Sequence, residues 1–155
     1  MPKIKNQIKL EFMSVADNVA LARVMVAAFA AQEEMTLTDL EEIKVAVSEA
    51  VSNSIIHGYE NNPDGLVILT ARLVDGAVEI VVEDRGKGIA DVEQAVQPSF
   101  STDPDRMGLG FAFMQSLMDE FTVESRVGEG TRVSMVRKVK LGVSALAEAS
   151  VTMGG

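Results

Sequence analysis

Residues 49–58 constrain this chain most, and they read Glu-Ala-Val-Ser-Asn-Ser-Ile-Ile-His-Gly. They close a run whose apolar residues recur at helical spacing. Side chains four residues apart share one face of a helix, so Glu49, Asn53 and His57 form a polar stripe. A carboxylate can accept or orient a proton, and an amide oxygen is a suitable ligand for Mg²⁺. Taken alone, the stripe predicts either a reactive site or an ordinary solvated helix face.

Composition limits the classes of protein that the chain can belong to. Its 155 residues suffice for one domain with a core, and 47% hydrophobic with 24% charged residues is typical of a globular protein. The absence of cysteine excludes disulfides and thiolate metal sites. No stretch approaches the roughly 20 apolar residues of a membrane span, and the N-terminus lacks the apolar core of a signal peptide. We therefore expect a cytoplasmic protein.

The net charge of −9 argues against a nucleic-acid surface, which normally carries a basic patch. It does not argue against a bound nucleotide. Backbone N–H groups, a single cation and Mg²⁺ can hold phosphates on an acidic protein.

Periodicity predicts an α+β fold with helices on one face of a mixed, mostly antiparallel sheet. Ser14 with Asp17 predicts the start of the first helix, and Thr38 with Glu41 forms a capping box for the second, which we expect to end at Gly58 or Tyr59. The strands are expected at 8–12, 67–74, 78–83, 121–127 and 132–139, and the other helix at 109–120. We expect one domain over residues 1–139 and a frayed or disordered tail over 140–155.

Two glycine clusters lie at the ends of predicted elements. Asp84 ends a strand and is followed by Gly86 and Gly88, so backbone can approach a flat ligand while the carboxylate accepts from an exocyclic amine. A plain exit from a hairpin is the alternative. Gly108 and Gly110 open a helix, where N–H groups and the helix dipole favour an anion. The alternative there is a simple turn.

The segment between these clusters, from Pro98 to Gly108, contains two prolines and small polar residues, which predicts a mobile loop. Arg106 is the only cation between Lys87 and Arg126, so it is a candidate phosphate contact. Arg23 is the one cation in the middle of the first helix. By spacing alone it is either a solvated side chain or a partner contact.

In this order, the motifs E-A-V-S-N, D-R-G-K-G-I, G-L-G-F and G-E-G-T resemble the GHKL ATP-binding superfamily, which is named for gyrase, a heat-shock chaperone, histidine kinases and MutL. The resemblance spans residues 8–139. The run N-S-I-I-H-G-Y and the short lid are similar to the anti-sigma F factors of spore-forming bacteria. Members of that family inhibit an RNA polymerase sigma factor and are also serine kinases.

The resemblance implies a role for each motif residue. Glu49 would be the catalytic carboxylate, and Asn53 would hold Mg²⁺ against the triphosphate of ATP. The implied base contacts are Asp84, Gly86, Gly88 and Thr131, and the implied phosphate contacts are Arg106, Gly108 and Gly110. Arg23 would contact partner proteins. For His57 we expect a structural hydrogen bond at the helix end, not a phosphoacceptor role.

The function that the resemblance implies is double. A nucleotide-bound homodimer would sequester the sigma factor, and it would phosphorylate a serine of an anti-anti-sigma factor, thereby controlling sporulation transcription. Alternatives are a general-stress anti-sigma kinase and a nucleotide-dependent sigma-binding module without kinase activity. The catalytic half of a histidine kinase ranks third, because we expect no helical phosphoacceptor segment in this chain. We likewise expect no second domain of the kind that gyrase-type and MutL-type hydrolases use.

Overall fold

A computed structural model describes residues 3–97 and 107–139. Its strands are β1 (Ile4–Met13), β2 (Leu66–Val74), β3 (Ala77–Asp84), β4 (Glu120–Arg126) and β5 (Gly130–Lys138). Its helices are α1 (Asp17–Ala30), α2 (Leu37–Asn53), α3 (Val92–Ala95) and α4 (Met107–Leu117), and a π-helical turn, Ser54–Gly58, continues α2. The strands form one sheet in the order β1-β2-β3-β5-β4.

All four neighbouring strand pairs are antiparallel, and the expected α+β fold is confirmed. The predicted elements are all present, with ends that differ by a few residues. The predicted tail over 140–155 and most of the predicted lid, residues 98–106, lie outside the described residues. No helix within the described ranges combines the length and apolar character that crossing a membrane requires.

Alternation along the strands places one apolar face of the sheet under the helices. Leu69 and Ile80 on that face are fully buried, as is Val47 on α2. Phe111 and Met114 extend the same core beneath α4. Each such side chain contributes about 1.5–3 kcal/mol by its removal from water. The core therefore fixes α2 and α4 against the end of the sheet where β3 stops.

Both predicted helix starts were wrong in detail. The hydroxyl of Ser14 donates to the carbonyl of Asn62 at 2.5 Å, and α1 begins after Ala16 without a side-chain cap. A tertiary acceptor has displaced the local cap. The capping box of α2 is formed by Thr36 and Asp39, not by Thr38 and Glu41, with both reciprocal bonds at 3.0 Å. Thr36 and Thr38 are each followed three residues later by an acidic residue, so both fit the capping-box pattern. Asp39 also pairs with Arg137.

The π-helical turn ends the long helix close to the predicted position. The N–H of Tyr59 donates to the carbonyl of Ser54 at 2.9 Å, which is a five-residue step in place of the α-helical four. Glu60 and Asn61 then adopt positive φ angles of 51° and 64°. The widened turn brings the backbone of Gly58 to the end of β3.

Arg137 on β5 lies beneath the other end of α2 and is only 7% exposed. Its guanidinium lies 2.6 Å from a carboxylate oxygen of Asp39 and 2.6 Å from one of Glu42, and it also donates to the carbonyl of Leu117. Burial acts to raise the pKa of Asp39, but hydrogen bonds from the Thr36 N–H and from Arg137 outweigh it and lower that pKa. Arg137 thus joins the start of α2 to the end of α4.

We expect Arg137→Ala to lower the free energy of unfolding by about 3 kcal/mol, because it leaves two partly buried carboxylates without their partner. The half-exposed pair of Arg132 with Glu83 provides the control, and Arg132→Ala should cost less than about 1 kcal/mol. Urea denaturation measures both changes. Equal losses in the two variants would contradict this account of Arg137.

Candidate functional site

A cavity of about 160 Å³ lies where the end of α2, the π-helical turn and the ends of β3 and β5 meet. Asn53 and His57 line it from the helix side, and Asp84 and Thr131 line it from the sheet. A larger basin of about 640 Å³ adjoins it and shares Asp84 and Thr131. That basin is lined elsewhere by exposed charged side chains such as Glu124. The smaller cavity is therefore the place where the predicted helix and sheet motifs converge.

Asp84 is the most buried ionisable group of this site, with 7% of its surface exposed. Its carboxylate accepts the N–H of Gly86 at 2.9 Å. Burial raises the pKa of Asp84, and hydrogen bonds from Gly86, from the Ser54 hydroxyl and from the Thr131 N–H counteract part of that rise. The donors around Asp84 stabilise its charged form, and a carboxylate retains further acceptor capacity for the N–H group of a ligand.

Glycine is required at positions 86 and 88 because backbone from other segments of the protein lies very close to both residues. A Cβ on Gly86 would lie 2.1 Å from the carbonyl oxygen of Gly58. Gly88 has a φ of +75°, and a Cβ there would lie 2.0 Å from the carbonyl oxygen of Arg126. Backbone bonds run from the Lys87 N–H to Gly58, and from the Gly128 N–H to Lys87, at 2.9 and 2.8 Å. The loop is therefore clamped between the π-helical turn and the β4–β5 turn.

Thr131 faces Asp84 across the β3–β5 ladder. Its hydroxyl oxygen lies 2.7 Å from that of Ser125 on β4. Ser125 also accepts the N–H of Ile89 at 2.8 Å, so one serine connects β4, Thr131 and the loop that follows β3. The two glycine motifs around the cavity are therefore joined by side-chain as well as backbone bonds.

The start of α4 lies directly against the polar stripe of α2. A Cβ on Gly110 would lie 2.9 Å from a carboxylate oxygen of Glu49 and 3.5 Å from the amide nitrogen of Asn53. A Cβ on Gly108 would lie 2.4 Å from the carbonyl oxygen of Gln97. Gly110 therefore allows α4 to pack closely on α2, and Gly108 allows it to pack closely on the backbone of Gln97. The positive end of the α4 dipole is thereby placed beside Glu49 and Asn53.

Three buried side-chain atoms lack a hydrogen-bond partner among the described residues: the amide nitrogen of Asn53, Nε2 of His57 and Nε of Arg137. The first two belong to residues that line the cavity. Buried polar groups are usually paired, so an orphaned amide facing a cavity fits a site that takes a polar ligand. In the described ranges, no group of three or more His, Asp or Glu residues could hold a metal ion. A cation beside Asn53 would therefore need oxygens from a bound ligand as well.

The structure brings most of the predicted site residues together. The cavity is lined by Asn53, Asp84, Gly88 and Thr131, and Gly86 lies in the loop beside it. At the start of α4, Gly110 lies against Glu49, and Gly108 lies against the backbone of Gln97. Arg106 lies outside the described residues. Arg23 does not line the cavity: it is half-buried on α1, near the exposed apolar side chains of Leu21, Val24 and Met25.

Sequence reasoning missed Ser54, Ser125, Ile89 and Phe111. Ser54 directly follows the predicted ligand Asn53, so its position could have been suspected. Phe111 reads as an ordinary core residue of α4. Ser125 and Ile89 carry no local signal, because their contact depends on how β4 pairs in the sheet.

We expect Ser54→Ala to raise the pKa of Asp84 further, because it removes a hydrogen bond to the charged form. Titration of the Asp84 carboxyl by carbon NMR measures the change. Ser48→Ala is the matched control on the same helix, since the Ser48 hydroxyl donates to the carbonyl of Lys44 instead.

The same variant should show a characteristic dependence of stability on pH. The pKa of Asp84 is raised above 3.8 in the folded protein, so ionisation of this group lowers the stability of the fold. The loss of stability is complete at pH values above the folded pKa, and it is absent at pH values well below 3.8. Through this ionisation, Ser54→Ala should therefore lose more stability at neutral pH than in acid. An Asp84 pKa that is unchanged or lowered would contradict the predicted bond.

Comparison with known proteins gives consistent results. Residues 12–137 match the family described as Histidine kinase-like ATPase domain. The anti-sigma F factor of Heyndrickxia coagulans is 48% identical over 141 residues, which cover 89% of this chain and 96% of the relative. That of Geobacillus sp. (strain WCH70) is 45% identical over 138 residues, covering 88% and 94%. That of Clostridium botulinum (strain Alaska E43 / Type E3) is 46% identical over 139 residues, covering 88% and 97%.

Solved structures agree on the fold. The RsbU and RsbW domains of Rv1364c from Mycobacterium tuberculosis match with a TM-score of 0.65 and 21% identity, over 89% of this chain and 34% of that chain. The histidine kinase domain of the blue-light activated kinase from Erythrobacter litoralis EL346 matches with a TM-score of 0.57 and 19% identity, over 86% and 64%. At these identities the likeness shows the fold alone, and it confirms the expected GHKL architecture.

Proposed function

Because this chain belongs to the anti-sigma F factor family, within the histidine kinase-like ATPase domains, we propose that it binds and inhibits an RNA polymerase sigma factor. We further propose that it uses Mg²⁺-ATP to phosphorylate a serine of an anti-anti-sigma factor, in the cytoplasm and in control of sporulation. The observation that carries the kinase proposal is the convergence of Glu49, Asn53 and Asp84 around one cavity and the adjoining start of α4.

The adenine base would lie on the sheet side of the cavity. Asp84 would accept from its exocyclic amine, with Gly86, Gly88 and Thr131 around the ring. The phosphates would extend toward the start of α4, where Gly108 and Gly110 lie and where the N–H groups of the first helical turn have no partner within the helix. Arg106, which lies outside the described residues, is the proposed cation for the phosphates.

Asn53 fits a role as a ligand of Mg²⁺, because its side chain lines the cavity and its amide nitrogen has no hydrogen-bond partner among the described residues. No such bond holds the amide in one orientation, so it can turn its oxygen toward a cation. Bound Mg²⁺ supplies charge neutralisation and alignment of the phosphates. The carboxamide contributes one oxygen, and its position on α2 is held by the fully buried side chains of Val47 and Val51.

Glu49 is one turn before Asn53 and lies against Gly110. We assign it to orient the incoming serine hydroxyl and to accept its proton. The serine oxygen would then bond to the γ-phosphorus as the bond between that phosphorus and the β,γ-bridging oxygen breaks, leaving ADP. Phosphoryl transfer depends mainly on positioning and charge stabilisation, and this arrangement supports both.

Partner binding would use a different face. Arg23 on α1 is half-buried, and Leu21, Val24 and Met25 on the same helix expose apolar side chains. Helix α1 thus offers both an arginine and exposed apolar side chains, and arginine is enriched at the centre of protein–protein interfaces. We propose that this face of a homodimer contacts the sigma factor, and that the anti-anti-sigma factor releases it.

We expect Glu49→Gln to reduce serine phosphorylation by at least about 100-fold, the usual effect of losing a general base, with Mg²⁺-ATP binding nearly unchanged. Glu41→Gln is the matched control on α2, since Glu41 pairs at the surface with Lys44. Phosphoserine on the partner is measured by mass spectrometry, and nucleotide binding by calorimetry. If Glu49→Gln phosphorylates the partner at the rate of the control, the catalytic assignment fails.

We expect Arg23→Ala to weaken sigma-factor binding by about 2 kcal/mol, the scale of an interface hot spot, without changing affinity for ATP. Arg72→Ala is the control, because Arg72 donates to Gln7 on the opposite face of the sheet. Surface plasmon resonance with the immobilised sigma factor measures the difference. Equal affinities of the two variants would remove Arg23 from the interface.

A further inference from the structure

Ser125 is the most connected side-chain hydroxyl near the cavity, although it does not line the cavity itself. It contacts three groups: the N–H of Ile89 at 2.8 Å, the carbonyl of Gly130 at 2.9 Å and the hydroxyl of Thr131 at 2.7 Å. These groups come from the loop after β3 and from the start of β5. Ser125 is half-buried, so its hydroxyl is partly shielded from competing water.

A serine hydroxyl has one hydrogen and two lone pairs, which allows the direction of each bond to be assigned. Ile89 donates its N–H, so it takes one lone pair. The carbonyl of Gly130 has no hydrogen, so the serine must donate there. The serine hydrogen is then used, and the remaining contact is a hydrogen bond only if Thr131 donates to Ser125. This is the one arrangement in which all three contacts are hydrogen bonds.

The assignment determines what Thr131 offers to a ligand. Its hydroxyl hydrogen is committed to Ser125, so only its lone pairs remain for the cavity. Asp84, facing it across the ladder, is a carboxylate and also an acceptor. The sheet side of the cavity therefore presents two acceptors and no hydroxyl donor, which matches the amino group of adenine. It mismatches hypoxanthine, which carries a carbonyl oxygen at the same ring position.

We propose that Ser125 is a positioning residue that sets purine specificity, by holding the Thr131 hydroxyl as an acceptor beside Asp84. The inference rests on the proposed ATP-binding function and adds a specificity determinant to it. Without the Ser125 hydroxyl, Thr131 is free to rotate and to donate to the carbonyl of hypoxanthine. The preference for an amino purine should then weaken.

The test compares the affinities of the full chain for ATP and for inosine triphosphate, each with Mg²⁺, by isothermal titration calorimetry. The wild-type protein should prefer ATP, and Ser125→Ala should lower that preference about five- to tenfold, the effect of one partly buried hydrogen bond. Ser125→Thr keeps the hydroxyl and should retain the preference. Ser134→Ala is the control, since Ser134 lies on β5 with its side chain on the opposite face from Thr131.

Thr131→Val provides an independent test that leaves Ser125 in place. It removes the acceptor directly, so it should lower the preference to a similar extent, and the double variant should lower it no further. Thr131→Val also tests the proposal if Ser125→Ala fails to fold. An unchanged preference of Thr131→Val for ATP over inosine triphosphate overturns the proposal.

The remaining outcomes distinguish the role of Ser125 from the proposed binding of ATP. An unchanged preference in Ser125→Ala, or fully additive effects in the double variant, overturns the role of Ser125 while wild-type ATP binding stands. Absence of ATP binding by the wild-type protein overturns the proposed function and the specificity inference together.

Discussion

The close contact between the backbone of Gly58 and the loop after β3 is the constraint on which the site depends. The Gly58 carbonyl accepts the N–H of Lys87 at 2.9 Å, and a Cβ on Gly86 would collide with that same carbonyl. A Cβ on Gly58 would lie 2.9 Å from the carboxylate of Asp84. Helix and sheet can approach this closely only because neither glycine carries a side chain. The approach is what places Asn53 and Asp84 around one cavity.

The opposite end of α2 is held by a different kind of interaction. There, Arg137 reaches from β5 to Asp39 and Glu42 and to the last turn of α4. A buried guanidinium with several acceptors gives directional constraints that apolar packing alone does not give. The long helix is thus fixed at both ends, and residues between those ends inherit a defined position relative to the sheet. Such rigidity is what the proposed roles of Glu49 and Asn53 require.

The electrostatics of the site explain how an acidic chain can be suited to a nucleotide. Its net charge is −9, yet the groups that would face phosphates are backbone N–H groups at the start of α4, which carry partial positive charge regardless of the surface. The buried acid, Asp84, lies instead at the sheet end, where it would meet the base and not the phosphates. Asp84 and the phosphates would therefore be kept apart. Glu49, which lies against the start of α4, is the one acid that the proposed phosphoryl transfer needs beside them.

The elements and the polar stripe were predictable from the chain, because both follow from local periodicity. Two-residue alternation indicated the five strands, and four-residue spacing put Glu49 and Asn53 on one face of α2. The caps of α1 and α2 were predicted wrongly, because Ser14 and Asp39 are bonded to residues 48 and 98 positions away. Local patterns cannot reveal which of two equivalent hydroxyls or carboxylates has a distant partner.

The sequence by itself determined the α+β architecture, the family, and the residue types that face the cavity. Only the tertiary structure showed which backbone contacts require glycine at positions 58 and 86, and which hydroxyl groups hydrogen-bond to Asp84 and Thr131. Ser125 and Ile89 are 36 residues apart and meet only because β4 pairs with β5 in one particular register. Strand register is set by the packing of the whole apolar face, so no stretch of sequence near either residue contains that information.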